Sequence, residues 1–468
     1  MNFNKVYDVI IVGGGSSGLY AASLLARQAK AFFPSVLILE KSRHCGTKLL
    51  MSGGGQCNLT HSGSIKEFLT HYGCAGNSLR SILYTHNNLA VRSHFETLGV
   101  KTTQREDGKV FPLSMSAKEV RSALLSSIKK AGFEIKTESA AVRILNVSSA
   151  RLLDSFSKIQ SKSITDHALS KNSGSEDTVY EILTESSATY HCRNLIIACG
   201  GCSYPQTGSD GSIFSVLKQL NLEITELSPA LVPIHVQDYP YSTLSGISFQ
   251  KAELRILSKY SPENWSIQNK KKVPEKRFYG PLLFTHNSLS GPLILDVSRY
   301  LHAGDRIALS YLPGVENAAL SKELRRAAQG STKNIETLLC DISKELGASF
   351  PKRFAELLTA SFPKLSGRKA SSLSGTALSM LAKRITDDEF CISSLSSYQT
   401  AMCTSGGVSL SEIDLKTMEA KKYPRLFIIG ECLDVDGDTG GYNLQFAFSS
   451  AAAAVKTLIQ KSFYCPVP

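Results

Sequence analysis

Three glycines and one acid stand at a spacing that chemistry can use. Gly13, Gly15 and Gly18 form G-x-G-x-x-G, and Glu40 follows Gly18 by 22 residues. Gly13 permits a tight turn, Gly15 lets the backbone approach a pyrophosphate, and Gly18 lets a helix pack closely on a strand. A helix opening just after this turn offers unpaired N–H groups and the positive end of its dipole to phosphates. Glu40 can accept from ribose hydroxyls. The pattern predicts a bound dinucleotide; the competing reading is a glycine-rich structural turn.

A second glycine-rich junction lies near the other end of the chain, where Gly430-Glu431 leads through Asp434, Asp436, Gly437 and Asp438 to Gly440-Gly441-Tyr442. Gly440 and Gly441, opening a helix, would aim N–H groups at the N1/C2=O edge of an isoalloxazine, where negative charge gathers on reduction. Glu431, just after a strand, resembles the acidic position that meets a flavin's ribityl or pyrophosphate region. With no second strand-GxGxxG-helix unit and a glycine-rich junction at each end, the expected cofactor is FAD, with NAD(P)H as a transient electron donor.

Other clusters carry less. An EF-hand loop starting at Asp434 needs glycine at 439 and glutamate at 445, where Thr439 and Gln445 stand. Cys199-Gly200-Gly201-Cys202 lacks a second CxxC or a histidine pair, so a glycine turn explains it better than zinc or a redox disulfide, and no metal is expected. Gly53-Gly54-Gly55 could pass close to a flavin, with Cys57 and Asn58 following. Cys57 and His286 are the catalytic candidates, as side chains able to exchange a proton with a substrate beside a flavin. Their alternatives are a small packed side chain for Cys57 and a satisfied core histidine for His286.

The elements that position these residues can be read from apolar runs. Val9 to Val12 runs into Gly13, and Leu19, Ala22, Leu25 and Ala26 follow at helical spacing. Val36 to Leu39 then ends at Glu40, completing a β-α-β unit with doubly buried parallel strands. Leu195 to Ala198 before Gly200, and Leu426 to Ile429 before Gly430, repeat the strand-into-glycine pattern, and Tyr442 to Gln460 predicts a last helix. Between them, alternation around Ala252 to Leu257 and Arg306 to Tyr311 predicts antiparallel strands, and residues from about 319 to 384 turn helical. The Ser-rich stretch Asp154 to Asp177 reads as a loop without chemistry.

The fold class is therefore α/β, with an insertion of two subdomains between the chain ends, antiparallel strands on a barrel or small sheet and then a helical piece; the family resemblance set out below implies a Rossmann-like FAD-binding domain built from both chain ends, interrupted by a β-barrel domain that carries a small helical domain. The expected boundaries are 1–205 and 403–468 for the FAD domain, 206–318 and 385–402 for the barrel, and 319–384 for the helical insert. The composition, 468 residues with 42% hydrophobic and 20% charged, excludes disordered, collagen-like and disulfide-scaffold classes. Eleven scattered cysteines suit reduced thiols, and no apolar run nears the roughly 18 residues of a membrane span, so a cytoplasmic location without membrane contact is expected. Tyr7 to Val12, read as a strand, leaves no room for a signal peptide. Residues 251–277 and 320–384 carry +5 and +7, the entire net charge of +12. A polyanionic partner or a merely solvated basic face would each account for this.

Thr47-Lys48-Leu49-Leu50-Met51-Ser52-Gly53-Gly54-Gly55-Gln56-Cys57-Asn58-Leu59-Thr60 resembles the signature following the ribose-binding acid in the BaiN/RdsA (aminoacetone-oxidase-like) flavoprotein family. Phe111-Pro112 with Ser114 and Ala117, Gly200-Gly201 with Ser203-Tyr204-Pro205, Pro229 to Pro233, Phe284-Thr285-His286 with Ser290-Gly291-Pro292, and Gly430 to Gln445 resemble its further blocks in order. The resemblance covers nearly the whole chain. It departs at Thr47 and Gln56, where members often carry Arg or another long side chain, and at Cys199, which replaces a common Thr. It implies flavin-dependent reduction of activated C=C bonds, in substrates as different as steroid enones and a uracil ring of ribosomal RNA. The expected cofactor contacts are Gly13, Gly15, Ser16, Gly18, Glu40, Lys41, Lys48, Ser52, Gly53, Gly54, Gly55, Cys57, Asn58, Gly200, Gly201, Gly430, Glu431, Asp438, Gly440, Gly441, Tyr442, Asn443 and Leu444. A uracil ring in ribosomal RNA, bound through the two basic segments, is the first expectation for the substrate. A small enone or amine comes second, and a non-catalytic flavin-containing RNA-binding protein third.

Overall fold

The computed structural model of the chain describes residues 5–148, 178–258, 277–362 and 365–464. They form two compact units, one from 1–228 with 403–468 and one from 229–402.

In the first unit the apolar run before Gly13 becomes strand β1 (Val6–Val12), followed by helix α1 (Ser16–Gln28), strand β2 (Val36–Leu39), strand β3 (Glu134–Lys136), strand β4 (Thr189–Ile197), strand β5 (Leu426–Ile428) and helix α2 (Tyr442–Tyr464). All neighbours in the order β5-β4-β1-β2-β3 pair in parallel. Val12 stands opposite Leu39 on one side and Ile197 on the other, so the three strands end level. β1 and β2 are covered on both faces, which is why Val9 to Val12 and Val36 to Leu39 read as unbroken apolar runs. The chain steps outward from β1 through β2 to β3, then returns to its other side with β4 and β5. A crevice opens at such a switch point, outside the carboxyl ends of the strands.

The second unit is a closed antiparallel barrel of Ile234–Val236, Leu289–Ser290, Phe278–Phe284, Ser248–Ser258, Arg306–Ser310 and Asp388–Leu395, in that order around the ring. Helices Asn317–Ala328, Ile335–Glu345, Lys352–Ala360 and Gly375–Thr386 interrupt it between its last two strands and share its hydrophobic core. Inside that core Tyr311 Oη donates to Asp388 Oδ2 at 2.5 Å, Tyr241 donates to the same oxygen, and Arg384 reaches Oδ1 at 2.9 Å. Burial pushes the Asp388 carboxyl up to about 6, against the pull of Arg384 and the two hydroxyls.

Residues 206–228, assigned to the barrel from sequence, belong with the parallel sheet instead. Ile213, Phe214, Val216 and Leu217 of the helix Ser212–Gln219 are buried in the same core as β1 and β4. The last helix runs past Gln460 to Tyr464. The loop expected over Asp154 to Asp177, and most of the basic segment 251–277, lie outside the described residues. No helix among the described residues is long and apolar enough to cross a membrane.

Candidate dinucleotide site

The turn after β1 is closed by the Gly13 N–H, which donates to Leu39 O at 2.8 Å. Gly13 has φ +106°, and a Cβ there would lie 2.5 Å from the Ala198 carbonyl oxygen. A Cβ on Gly18 would stand 2.0 Å from the Gly13 carbonyl oxygen, so strand and helix meet backbone to backbone. Gly15 differs: its φ of −77° suits any residue, and a Cβ would meet only Ala198 O at 3.8 Å. Gly15 caps α1 without a side-chain bond and no acid occupies the first turn, so the opening N–H groups, with Ser16 half-exposed beside them, stay available to an anion.

Glu40 is 9% exposed, and its two oxygens accept from the Gly14 and Ser42 N–H groups, each at 2.7 Å. A carboxylate accepts at about four lone-pair positions, so capacity for ribose hydroxyls remains. Lys41 Nζ is paired with Asp210 and donates to Ser212 Oγ at 3.1 Å.

The two chain ends meet here. Gly430 has φ +68°, and a Cβ on it would lie 2.6 Å from Ser17 Oγ of α1. Next to it, Glu431 gathers partners from across the unit: Lys48 Nζ at 2.6 Å, Ser203 Oγ at 2.6 Å and the Thr404 N–H at 3.0 Å. Thr404 Oγ1 also accepts from the Cys202 N–H at 2.7 Å, and only a glycine fits at 201, where a Cβ would lie 2.4 Å from that oxygen. Gly441, φ +104°, packs on the Thr60 carbonyl, and Asn443 braces the loop before it, exchanging both of its amide bonds with Gly437 at 2.8 Å. Asn443 is thus committed to the turn, while Leu444 lies half-buried one residue along α2.

Gly53, Gly54 and Gly55 are exposed where the backbone kinks out of helical geometry between Leu49 and Gly55, each at positive φ, and nothing lies within 4 Å of a Cβ on Gly54. Ser52 Oγ is used locally, donating to Leu49 O at 2.7 Å. Asn58 Oδ1 is buried with no hydrogen-bond partner among the described residues. An orphaned acceptor beside an open glycine loop, an uncapped helix start and a carboxylate with spare lone pairs together fit a dinucleotide carrying ribose, diphosphate and a hydrogen-bonding ring.

Of the two catalytic candidates, Cys57 is wholly buried, at φ +61°, and burial pushes its thiol up to about 12. So weak an acid, shut from solvent, transfers protons poorly near neutral pH, and the packed-side-chain reading suits it. Cys57→Ala should keep substrate turnover within about threefold while lowering stability by roughly 1–2 kcal/mol, read from steady-state rates and urea midpoints; a hundredfold fall in rate would restore the thiol to the chemistry. His286 is exposed in the turn Thr285 to Ser288 of the barrel unit, which removes its core-histidine reading. Cys199 and Cys202 are free thiols, Cys199 Sγ donating to Val12 O at 3.2 Å, and no metal-ligating cluster occurs among the described residues. Ser17, Ser203 and Thr404 were not among the sequence candidates. Ser203 follows the Gly200-Gly201 signal, but nothing in the local sequence marks Thr404.

Fold and site together define a Rossmann-type oxidoreductase of the flavoprotein class. The chain belongs to the HI0933-like protein Rossmann domain family, whose pattern matches residues 7–457. It is 28% identical over 453 residues to a ribosomal RNA dihydrouridine synthase of Haemophilus influenzae, covering 96% of this chain and 98% of the relative. To the ribosomal RNA dihydrouridine synthase of Escherichia coli it is 27% identical over 459 residues, 97% and 98% of the two chains. A 3-dehydro-bile acid delta(4,6)-reductase of Clostridium scindens is 23% identical over 457 residues, 96% and 98%.

Proposed function

We propose that the protein is an FAD-dependent reductase of an activated C=C bond whose substrate is a uracil ring in ribosomal RNA, giving dihydrouridine. The observation that carries the reading is the end-to-end similarity to two ribosomal RNA dihydrouridine synthases, in a chain whose two ends meet where Gly430 packs on Ser17 of α1, with Glu40 and the Glu431 cluster in the same unit. The α1 N–H groups at Gly15 and Ser16 would hold the diphosphate, Glu40 the adenosine ribose, and the N–H groups of Gly440 and Gly441 the pyrimidine edge of the ring. When bound, FAD supplies the hydride, with NADH or NADPH as the reductant visiting from solution.

RNA enters through charge. Of the eleven described Lys and Arg residues between 320 and 384, ten are exposed, and Arg384 alone is half-buried, on Asp388. Arg255 and Arg277, in the other basic segment, are paired with the buried Glu253, so less of that segment's charge is free for phosphates. A reductase of a small enone is the second reading, supported by the similarity to the bile acid reductase.

The test is to read the flavin spectrum of purified protein, then its bleaching by NADH and NADPH and its reoxidation with and without ribosomal RNA. RNA should reoxidise the flavin, dihydrouridine should vanish from ribosomal RNA when the gene is deleted, and log affinity should fall linearly with log salt. Unchanged dihydrouridine in the deletion strain, with reoxidation by a small enone alone, would move the assignment to the second reading.

A further inference from the structure

We propose that His71, oriented by Asp438, delivers the substrate's proton. This rests on the C=C-reduction reading, which requires an acid beside the hydride, a task the sealed Cys57 thiol suits poorly. His71 Nδ1–H donates to Asp438 Oδ2 at 2.8 Å, and the Asp438 N–H donates to the His71 carbonyl at 2.9 Å, so two residues 367 positions apart are tied twice. The imidazole lies flat on Tyr442, centroids 4.0 Å apart and planes 15° from parallel. Tyr442 is the first residue of α2, directly after Gly440 and Gly441.

These contacts fix the plane of the ring and its tautomer. They leave Nε2 as the working atom: it has no hydrogen-bond partner among the described residues, and the side chain is 35% exposed. The other ionisable groups beside it are Glu67 from the preceding turn and the Tyr442 phenol under the ring; Tyr72 and His61 pack on Tyr442 in turn, at 6.2 and 5.3 Å between centroids. Nothing in the local sequence marks His71, because Asp438 and Tyr442 reach it only in the folded chain.

In the reaction, hydride brings two electrons to one carbon of the C=C bond. The π pair passes to the other carbon and forms a C–H bond with the proton leaving Nε2 of the imidazolium. His71 is left neutral, its Nδ1–H still on Asp438, and takes a new proton from water at its exposed edge. Asp438 is a positioning residue, acting through His71.

The test uses the full-length holoenzyme, reduced beforehand and mixed in a single turnover with oligouridylate or with cyclohexenone. His71→Gln should slow reoxidation about a hundredfold and abolish the loss of rate with rising pH that deprotonation of an acid produces. Asp438→Asn keeps an acceptor for Nδ1–H without the charge, and should give a smaller loss with that limb displaced. Reoxidation of His71→Gln within about threefold of wild type, with an unchanged pH profile, would overturn the proposal. A second readout does not depend on turnover: the His71 Nε2 resonance of 15N-histidine protein, assigned with the variant, should move when apoprotein is loaded with FAD. If wild type is reoxidised by neither probe, the C=C reading fails; a resonance unmoved by FAD rejects the dyad's place beside the ring whatever the probes do.

Discussion

Gly15→Ala should fold like wild type and lose FAD, whereas Gly18→Ala should lose both. The two positions lie three residues apart at the start of the same helix, and what separates them is the direction in which a methyl group would point. At Gly18 it would stand 2.0 Å from a carbonyl oxygen. That contact is backbone against backbone, so no rotamer change relieves it, and α1 would have to lift from β1 at a cost of about 3 kcal/mol or more. At Gly15 the nearest protein atom is 3.8 Å away and φ is already −77°, so the apoprotein should be stable to within about 0.5 kcal/mol of wild type. The methyl group would meet little protein there, but with the diphosphate on the α1 N–H groups as proposed it would crowd the phosphates and should weaken FAD at least tenfold, about 1.4 kcal/mol. Urea midpoints of the apoproteins and titration with FAD measure the two effects separately. Wild-type FAD affinity in Gly15→Ala would remove the diphosphate from this turn.

Acid should loosen the same unit. Tyr20 of α1 stacks on Phe448 of α2 at 4.4 Å, and against this joint lie His86, whose Nε2 shares a hydrogen bond with the Tyr20 hydroxyl at 2.8 Å, and His94, bonded to Ser23 at 2.8 Å. Burial pulls His86 down to about 4 and His94 down to about 3, and His94 Nδ1 is buried with no partner among the described residues. Both rings are neutral in the folded protein, while the unfolded chain takes up protons near pH 6.5. The unfolded state therefore binds more protons between the two values, and stability is whole above pH 6.5 and lost as pH falls toward the folded values. Between pH 7 and 5 each histidine should cost roughly 2 kcal/mol. In the barrel unit Asp388 acts with the opposite sign: an acid raised to about 6 in the fold gains stability as pH drops through 6. Acid should therefore melt the sheet unit, and release flavin, before the barrel. Melting curves from pH 7.5 to 5 with flavin fluorescence check this, and His94→Leu should remove about half of the slope. A melting temperature of the sheet unit that stays flat across that range would show that neither ring is buried in its neutral form.

What could be read without coordinates follows from how local each feature is. The G-x-G-x-x-G turn works within a dozen residues, and its strand, helix and second strand are marked by apolar runs and glycine. The barrel strands Ser248–Ser258 and Arg306–Ser310 were marked by alternation. Residues 206–228 were misassigned because an amphipathic helix shows that one face is buried but not against which core.

By itself, the sequence determined that the chain ends build a parallel α/β unit with a phosphate-ready turn, and that the excess positive charge sits in the inserted segments. Backbone geometry at glycines and burial of apolar runs are short-range effects, and they are written where they act. Only the tertiary structure decided that Glu431 draws in Lys48, Ser203 and Thr404, that the Cys57 thiol is sealed away, and that His71 meets Asp438 across 367 residues. Those pairings come from packing β5 beside β4 and α2 against α1, a choice set by the whole core and by no local run of residues.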